Sequence, residues 1–456
     1  MLPTRRRSQR GAPSSKEGHE RPRHPDDLFT DTVKKASTGG RSILFVAYFY
    51  PPCRDTGAQR PAAMAKWLRR LGHRVTVLTT SAYGRVEDDE AQGIVRTADA
   101  SLWRARLRGG DRVDALYDSD TYGGRPHPLS RLLVPEPLIA AWAPFARATA
   151  IRLARERGFD CVITTSPPES AHLLGRALRR RGTAWVADVR DAWTFERLRP
   201  RYPTALQRRL DERLERRWLG SADVVACVSR PAAEDMRARL GLEPMLIPNG
   251  WDPDLGPESG LPEAVDPLAV ADPDRISLVY TGRFGSYGRD PRGLVEALGS
   301  LARSEPEAAS RLELVIAGPL TAAERHLLDA DVAPARIVLR GSLDRVGALA
   351  LQRSADALLL LASPARSQLV NIKLFEYLAA AKPILALAAG TEAGRLVTEL
   401  GGETVRADDP RAIEAALGRL AAGELEAPDP AAVRPYTYPA PAERMAEAVE
   451  AAIARA

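Results

Sequence analysis

Cysteine is scarce: Cys53, Cys161 and Cys227 are the only three in 456 residues, too few and too irregularly spaced for a disulfide framework or a cysteine-ligated metal. That usage fits a reducing compartment, and Cys161 and Cys227, set in apolar runs, read as small core residues. Long hydrophobic runs are also missing. No uncharged apolar stretch of about 18 residues is there to span a bilayer, and the N-terminus lacks the apolar centre of a secretory signal. Neither sign of charge dominates, since 65 Lys and Arg face 59 Asp and Glu for a net of +6. Of that excess, +4 belongs to residues 1–40, with nine basic residues against five acidic ones. Residues 41–456 keep only +2, which argues against a nucleic-acid partner. The tail 1–40 carries Pro, Gly and Ser without apolar periodicity, so it reads as a disordered basic segment.

What remains is a chain with 45% hydrophobic residues, long enough for two domains. Ser42 to Ala47 is a continuous apolar run with no alternation, which suits a strand covered on both faces and hence a parallel sheet. A helix follows with Met64, Trp67, Leu68 and Leu71 at i, i+3, i+4, i+7 spacing, ended by Gly72, and a second strand runs Val75 to Thr79. The βα alternation continues through strands at 161–165, 185–188, 223–229 and 245–248, with a helix whose Leu206, Leu210, Leu214 and Trp218 are expected on one face. Prolines and acids between 249 and 275 read as a linker. A second α/β unit then runs from 276 to 440, with strands at 276–281, 312–317, 337–339, 357–361 and 383–387. A last helix, 441–456, is expected to be able to pack back on the first domain, 41–248. Two such sheets would face each other across a cleft at the carboxyl ends of their strands, where ligands bind.

Two segments of the second domain carry chemistry. Immediately after a strand, Gly282, Arg283, Gly285, Gly288, Arg289 and Arg292 combine close backbone approach with guanidinium groups suited to a diphosphate. Further on, Asn371-Ile372-Lys373-Leu374-Phe375-Glu376 opens a helix whose N-terminus favours phosphate. Lys373 adds a point charge there, and Glu376 can accept two ribose hydroxyls. Beyond the tail the only lysines are Lys66, Lys373 and Lys382. The alternatives are a glycine turn with solvated arginines and an ordinary i, i+3 surface pair.

Taken with the Ala47 to Pro52 strand-loop and Arg60 downstream, Gly72-His73-Arg74-Val75 and Ile247-Pro248-Asn249-Gly250, these motifs resemble glycosyltransferase family 4 from residue 41 to 450. The resemblance implies a GT-B fold of two facing Rossmann-like domains and a retaining, metal-independent transfer from a nucleotide diphosphate sugar. It further implies that the loop at Gly57 approaches the donor phosphates, that Arg283 and Lys373, with Arg289 a poorer match, bind diphosphate, and that Glu376 binds ribose. The family commonly places a Glu eight residues before the ribose-binding one. Here that position is Gln368, with Leu369 and Asn371 in place of the usual glycines, and Gln368, Val370 and Asn371 are expected to line the pocket.

In the first domain, His172 follows Ser166-Pro167-Pro168, and Asp188, Arg190 and Asp191 follow a strand. His172 is a candidate base or a packed helix residue. Asp188 and Asp191 are candidates to orient or deprotonate an acceptor hydroxyl, with Arg190 pairing either one, or else form an internal salt bridge. Asp118-Ser119-Asp120 reads as a solvated loop and not a metal site, so no cofactor beyond the donor substrate, with UDP favoured, is expected. The expected acceptor class is a glycan, glycolipid or lipid-linked sugar, whose identity the sequence does not give. Trp103, Arg104, Arg106, Arg108 and the arginine-rich stretch 207–217 are candidates for peripheral contact with the inner face of a membrane, and otherwise the protein is cytoplasmic. A catalytically silent nucleotide-sugar-binding scaffold and a sugar-nucleotide epimerase of the same fold are the competing readings.

Overall fold

Runs such as Ile43 to Ala47 and Ala357 to Leu361 have no polar side to turn to water, so helices must cover each on both faces. The computed structural model describes residues 39–53, 56–86, 89–101, 133–195, 202, 204–255, 272, 274–285, 289–364, 367–370 and 372–456. The basic tail, Trp103 to Arg108, Asp118 to Asp120, most of the linker and Asn371 lie outside the described residues.

In the N-terminal lobe the strands are β1 (Ser42–Ala47), β2 (Arg74–Thr80), β3 (Ile94–Thr97), β4 (Cys161–Ser166), β5 (Ala184–Val189), β6 (Val224–Cys227) and β7 (Met245–Leu246). All pair in parallel in the order β3-β2-β1-β4-β5-β6-β7. Helix α1 (Gln59–Arg70) covers one face. Helices α2 (Ala143–Arg157), α3 (Ala171–Arg179), α4 (Ala205–Leu219) and α5 (Arg230–Asp235) cover the other.

The C-terminal lobe repeats the plan with β8 (Ile276–Thr281), β9 (Leu312–Ala317), β10 (Arg336–Gly341), β11 (Ala357–Leu361), β12 (Ile384–Leu387) and β13 (Glu403–Val405), parallel in the order β10-β9-β8-β11-β12-β13. Its helices include α6 (Arg292–Ser304), α7 (Ala322–Leu328), α8 (Arg345–Ser354), α9 (Ile372–Ala380), α10 (Glu392–Glu399) and α11 (Pro410–Ala422). The strand order reverses between β1 and β4 in one sheet and between β8 and β11 in the other. Loops leaving neighbouring strands part at such a point and open a crevice at the carboxyl edge.

The chain crosses between lobes twice, and the crossings are stitched together. Trp251 donates its amide to the Tyr436 carbonyl at 2.8 Å, and Tyr438 donates to the Trp251 carbonyl at 2.9 Å. Helix α12 (Ala440–Arg455) then buries Ala442, Met445, Ala448, Val449 and Ala452 against β1, β4, β5 and β6 of the first lobe. Among the described residues no helix is long and apolar enough to cross a membrane.

Three local expectations need correction. Leu71 caps α1 instead of extending its apolar face and is 38% exposed, because the helix stops at Arg70. The expected stripe on α4 faces inward only at its second half: Leu206 is 75% and Leu210 45% exposed, whereas Leu214 packs half-buried on the core and Trp218 is buried together with Asp211 and Glu215. Four-residue steps advance 400°, so a strict i+4 row drifts about 40° each time and winds around the helix. The buried acids are satisfied, Asp211 by the Trp193 indole at 2.9 Å and by the Tyr202 hydroxyl, and Glu215 by Thr194 and Arg239. Finally, β3 and β13 are short edge strands of 4 and 3 residues that no apolar run announces.

Candidate active site

The two crevices face each other and form one cleft of about 750 Å³. Four loops that leave the four switch-point strands line it: Thr56 and Gly57 after β1, Pro167 after β4, Gly282 and Arg283 after β8, and Ala362 and Ser363 after β11. Arg60, Arg190, Arg283, Arg289, Arg345 and Lys373 contribute positive charge to its walls, against Asp191 and Glu376. The cleft is therefore built to receive an anion.

On the C-terminal side, the turn after β8 is set by backbone. Gly282 has φ +122°, donates its amide to the Ala317 carbonyl at 2.7 Å, and has its Cα against Lys373 Nζ, where a β-carbon would overlap the amine. Gly318 packs backbone to backbone on Gly282. The Tyr280 hydroxyl donates to the Arg283 carbonyl at 2.7 Å and its ring stacks on Phe284 with centroids 4.4 Å apart. Arg289 donates to the same carbonyl at 3.1 Å, leaving the exposed Arg283 guanidinium with no partner among the described residues.

Lys373, in the first turn of α9, points its ammonium over the Tyr280 ring at 5.2 Å and has no ion-pair partner among the described residues. Burial, reinforced by the charge of Arg289 and only partly offset by Glu376, brings its pKa down to about 7. One turn on, the Glu376 carboxylate is held from two sides. Arg345 Nη2 stands 3.3 Å from Oε1, and Gln352 Nε2 donates to Oε2 at 3.3 Å and to Thr281 Oγ1 at 2.9 Å. Gln352 is 2% exposed, and its Oε1 is buried without a partner. Val370 and Ile372 also line the cleft, whereas Gln368, 3% exposed, does not; its amide nitrogen is buried and unpartnered.

On the N-terminal side, Gly57 and Asp191 line the cleft while His172 and Asp188 do not. His172 is packed in the core: its ring centroid lies 6.3 Å from that of Trp185 and 6.2 Å from that of Trp193, and Nδ1 is 2.8 Å from Thr164 Oγ1. Burial lowers its pKa to about 4, so the packed alternative describes it. Asp188 is 1% exposed and takes a two-pronged contact from Arg60, at 2.9 and 3.3 Å, plus the Thr165 hydroxyl at 2.8 Å. Burial works against its ionisation, but Arg60, Thr165 and Arg190 outweigh it and hold the carboxyl below its ordinary value. Arg60 spends its remaining donors on the carbonyls of Ile247 and Pro248, and so ties α1 to the start of the interlobe crossing. Arg190 donates to the carbonyls of Ser166, Pro167 and Gly57, which joins the loops after β1, β4 and β5.

Sequence reasoning did not find Gln352 and Arg345 on α8. They lie more than twenty residues before Glu376, on a helix with no phosphate or sugar signature, and only the packing of α8 beside α9 brings them to the carboxylate.

Comparison with known proteins agrees with this geometry. The sequence model described as Glycosyltransferase Family 4 matches residues 61–255, and that described as Glycosyl transferases group 1 matches residues 275–422. No curated protein sequence matches the chain. Among solved structures, α,α-trehalose 6-phosphate synthase from Burkholderia multivorans superposes with a TM-score of 0.58 at 14% identity, covering 91% of this chain and 99% of that one. Anabaena HepE, in complex with UDP and glucose, gives 0.55 at 15%, covering 90% and 99%. A UDP-N-acetylglucosamine 2-epimerase, so named provisionally, from Listeria monocytogenes gives 0.53 at 15%, covering 92% and 98%. At these identities the likeness is one of fold, shared by transferases and an epimerase. It is the two sequence matches, which between them cover both lobes, that make this chain a member of the family 4 glycosyltransferases, built on the GT-B fold.

Proposed function

We propose that the chain transfers a sugar, with retention of configuration and without a metal, from a UDP-sugar to a hydroxyl of a glycan or lipid-linked acceptor. The observation that carries this reading is that Lys373 in the cleft and the Arg283 guanidinium on the neighbouring loop both lack an ion-pair partner among the described residues. The donor diphosphate would lie between them, at the N-terminus of α9, where a growing negative charge on the leaving group meets charge already in place. Glu376, fixed by Gln352, is aimed to accept ribose hydroxyls, with Arg345 the group that must yield one carboxylate oxygen.

The first lobe supplies the acceptor wall. Asp191, on the cleft, is the carboxylate suited to orient an acceptor hydroxyl, and Arg190 holds the loops that present it. In the retaining step the new glycosidic bond forms on the face the diphosphate leaves. The acceptor proton passes to a departing phosphate oxygen, so the protein positions and neutralises without a protein nucleophile.

The test is release of UDP from a panel of UDP-sugars with candidate acceptors, using wild type, Arg283→Ala and Lys373→Ala. Release that requires acceptor and falls on the order of a hundredfold or more in both variants supports transfer. Interconversion of the donor sugar without acceptor would instead identify an epimerase, and donor binding without turnover a silent scaffold.

A further inference from the structure

The outer face of α4 has an unusual make-up. At 100° per residue, Leu206, Leu210, Arg209, Arg213 and Arg217 fall in one stripe roughly 100° wide, opposite the buried Asp211, Glu215 and Trp218. Leu206 and Leu210 are 75% and 45% exposed. The three arginines have no carboxylate or hydrogen-bond partner among the described residues. Arg217, like Arg180, also acts on Arg176 of α3. Burial and those two like charges depress the Arg176 guanidinium, whose Nε is buried without a partner.

This concentration extends over the whole layer. Helices α2, α3, α4 and α5, which cover one face of the first sheet, hold twelve arginines and six carboxylates, a net of +6, whereas residues 41–456 together net only +2. The other residues of 41–456 therefore net −4, so this helical layer carries more than the whole positive excess. The amino-terminal ends of α2 and α4, where Phe145 (44% exposed) and Leu206 stand, lie at the strands' carboxyl edge, which is the cleft edge.

We propose that this face docks on an anionic lipid bilayer, with Leu206, Leu210 and Phe145 entering the headgroup boundary and Arg209, Arg213 and Arg217 meeting lipid phosphates. Charge complementarity names the anion, and the exposed leucines between the arginines favour a bilayer over a nucleic acid, which offers such side chains nothing apolar to enter. Docking in this pose sets the cleft mouth at the surface. It deepens the lipid-linked acceptor reading above, yet vesicle binding needs no turnover, so the two fail separately.

The test is co-sedimentation of the full chain with vesicles of phosphatidylcholine alone or with about an equal part of phosphatidylglycerol, at about 0.1 and 0.5 M salt. Wild type is expected to partition to the anionic vesicles only, and less so at the higher salt. Each arginine near such a surface contributes roughly fivefold, so Arg209→Gln/Arg213→Gln/Arg217→Gln should lower partition on the order of a hundredfold. Leu206→Ser/Leu210→Ser should lower it about tenfold or more, with unchanged melting temperature and donor binding in both variants. The proposal is overturned if both variants bind vesicles as wild type does. It is also overturned if the leucine variant merely dissociates a dimer of a wild type that ignores vesicles, or if a single-stranded RNA displaces the vesicles from this face.

Discussion

Replacing Lys373 with methionine removes a charge that the empty cleft carries at a cost. The amine titrates at about 7 where a solvated lysine titrates at 10.5, because it is buried and has Arg289 nearby. That gap corresponds to about 5 kcal/mol against holding the ammonium in the empty site. A diphosphate between Lys373 and Arg283 reverses the balance and draws the amine back to the charged form. Binding of a UDP-sugar, whose diphosphate does not itself titrate in this range, should then take up about 0.9 proton at pH 8 and about 0.1 at pH 6. Affinity should fall about tenfold per pH unit above 7. Calorimetry in buffers of different ionisation enthalpy reads the uptake directly, and in Lys373→Met it should vanish along with most of the affinity. The same shift has a stability consequence of defined sign. Between about 7 and 10.5 the unfolded chain binds the proton and the empty folded chain does not, so stability rises with pH across that window. The methionine variant should therefore gain melting temperature over wild type at pH 6 and lose that advantage toward pH 10. Proton uptake at pH 8 below about 0.2 with donor binding intact, or equal uptake in wild type and variant, would refute the reasoning.

Three more perturbations follow from the geometry. Arg60→Ala strands the Asp188 carboxylate, 1% exposed, and should cost about 3–5 kcal/mol in urea unfolding, with under 1 kcal/mol contradicting a structural role. Gly282→Ala puts a β-carbon onto Lys373 Nζ at a backbone φ of +122°, so donor affinity should drop about tenfold or more by titration while the fold persists; unchanged affinity would mean the donor does not use this turn. His172→Phe, deep between Trp185 and Trp193, should leave the transfer rate within about threefold of wild type, whereas a loss on the order of a hundredfold would return that ring to the chemistry.

The sheet centres were legible in the sequence because buried parallel strands are continuous apolar runs. Ser42–Ala47, Ile276–Thr281, Leu312–Ala317 and Ala357–Leu361 stand where those runs stand. Two of the four edge strands were not, since Ile94–Thr97 and Glu403–Val405 are short, include Arg96 and Glu403, and present no apolar run. The α4 stripe misled because apolar residues spaced strictly by four wind around the helix, and the acids that took the inside, Asp211 and Glu215, found their partners on distant segments. At the site, Gly282, Arg283, Lys373 and Glu376 stood out because each follows a strand or opens a helix, where local rules place anion-binding groups. Asp188 was misjudged for the same locality: its neighbour Arg190 looked like its partner, whereas the partner that folding supplies in a two-pronged contact is Arg60, 128 residues away. Gln352 has no local signature at all, and its role exists only because α8 lies against α9.

The central claim, that Lys373 and Arg283 meet a diphosphate in the cleft between the lobes, is tested most directly by a crystal structure with a UDP-sugar bound. The account predicts phosphate oxygens about 3 Å from Lys373 Nζ and from the Arg283 guanidinium, with ribose hydroxyls on Glu376 and Arg345 moved off its carboxylate. A diphosphate bound elsewhere, or bound in the cleft with Lys373 still resting on Tyr280 and Arg283 in bulk water, would contradict it.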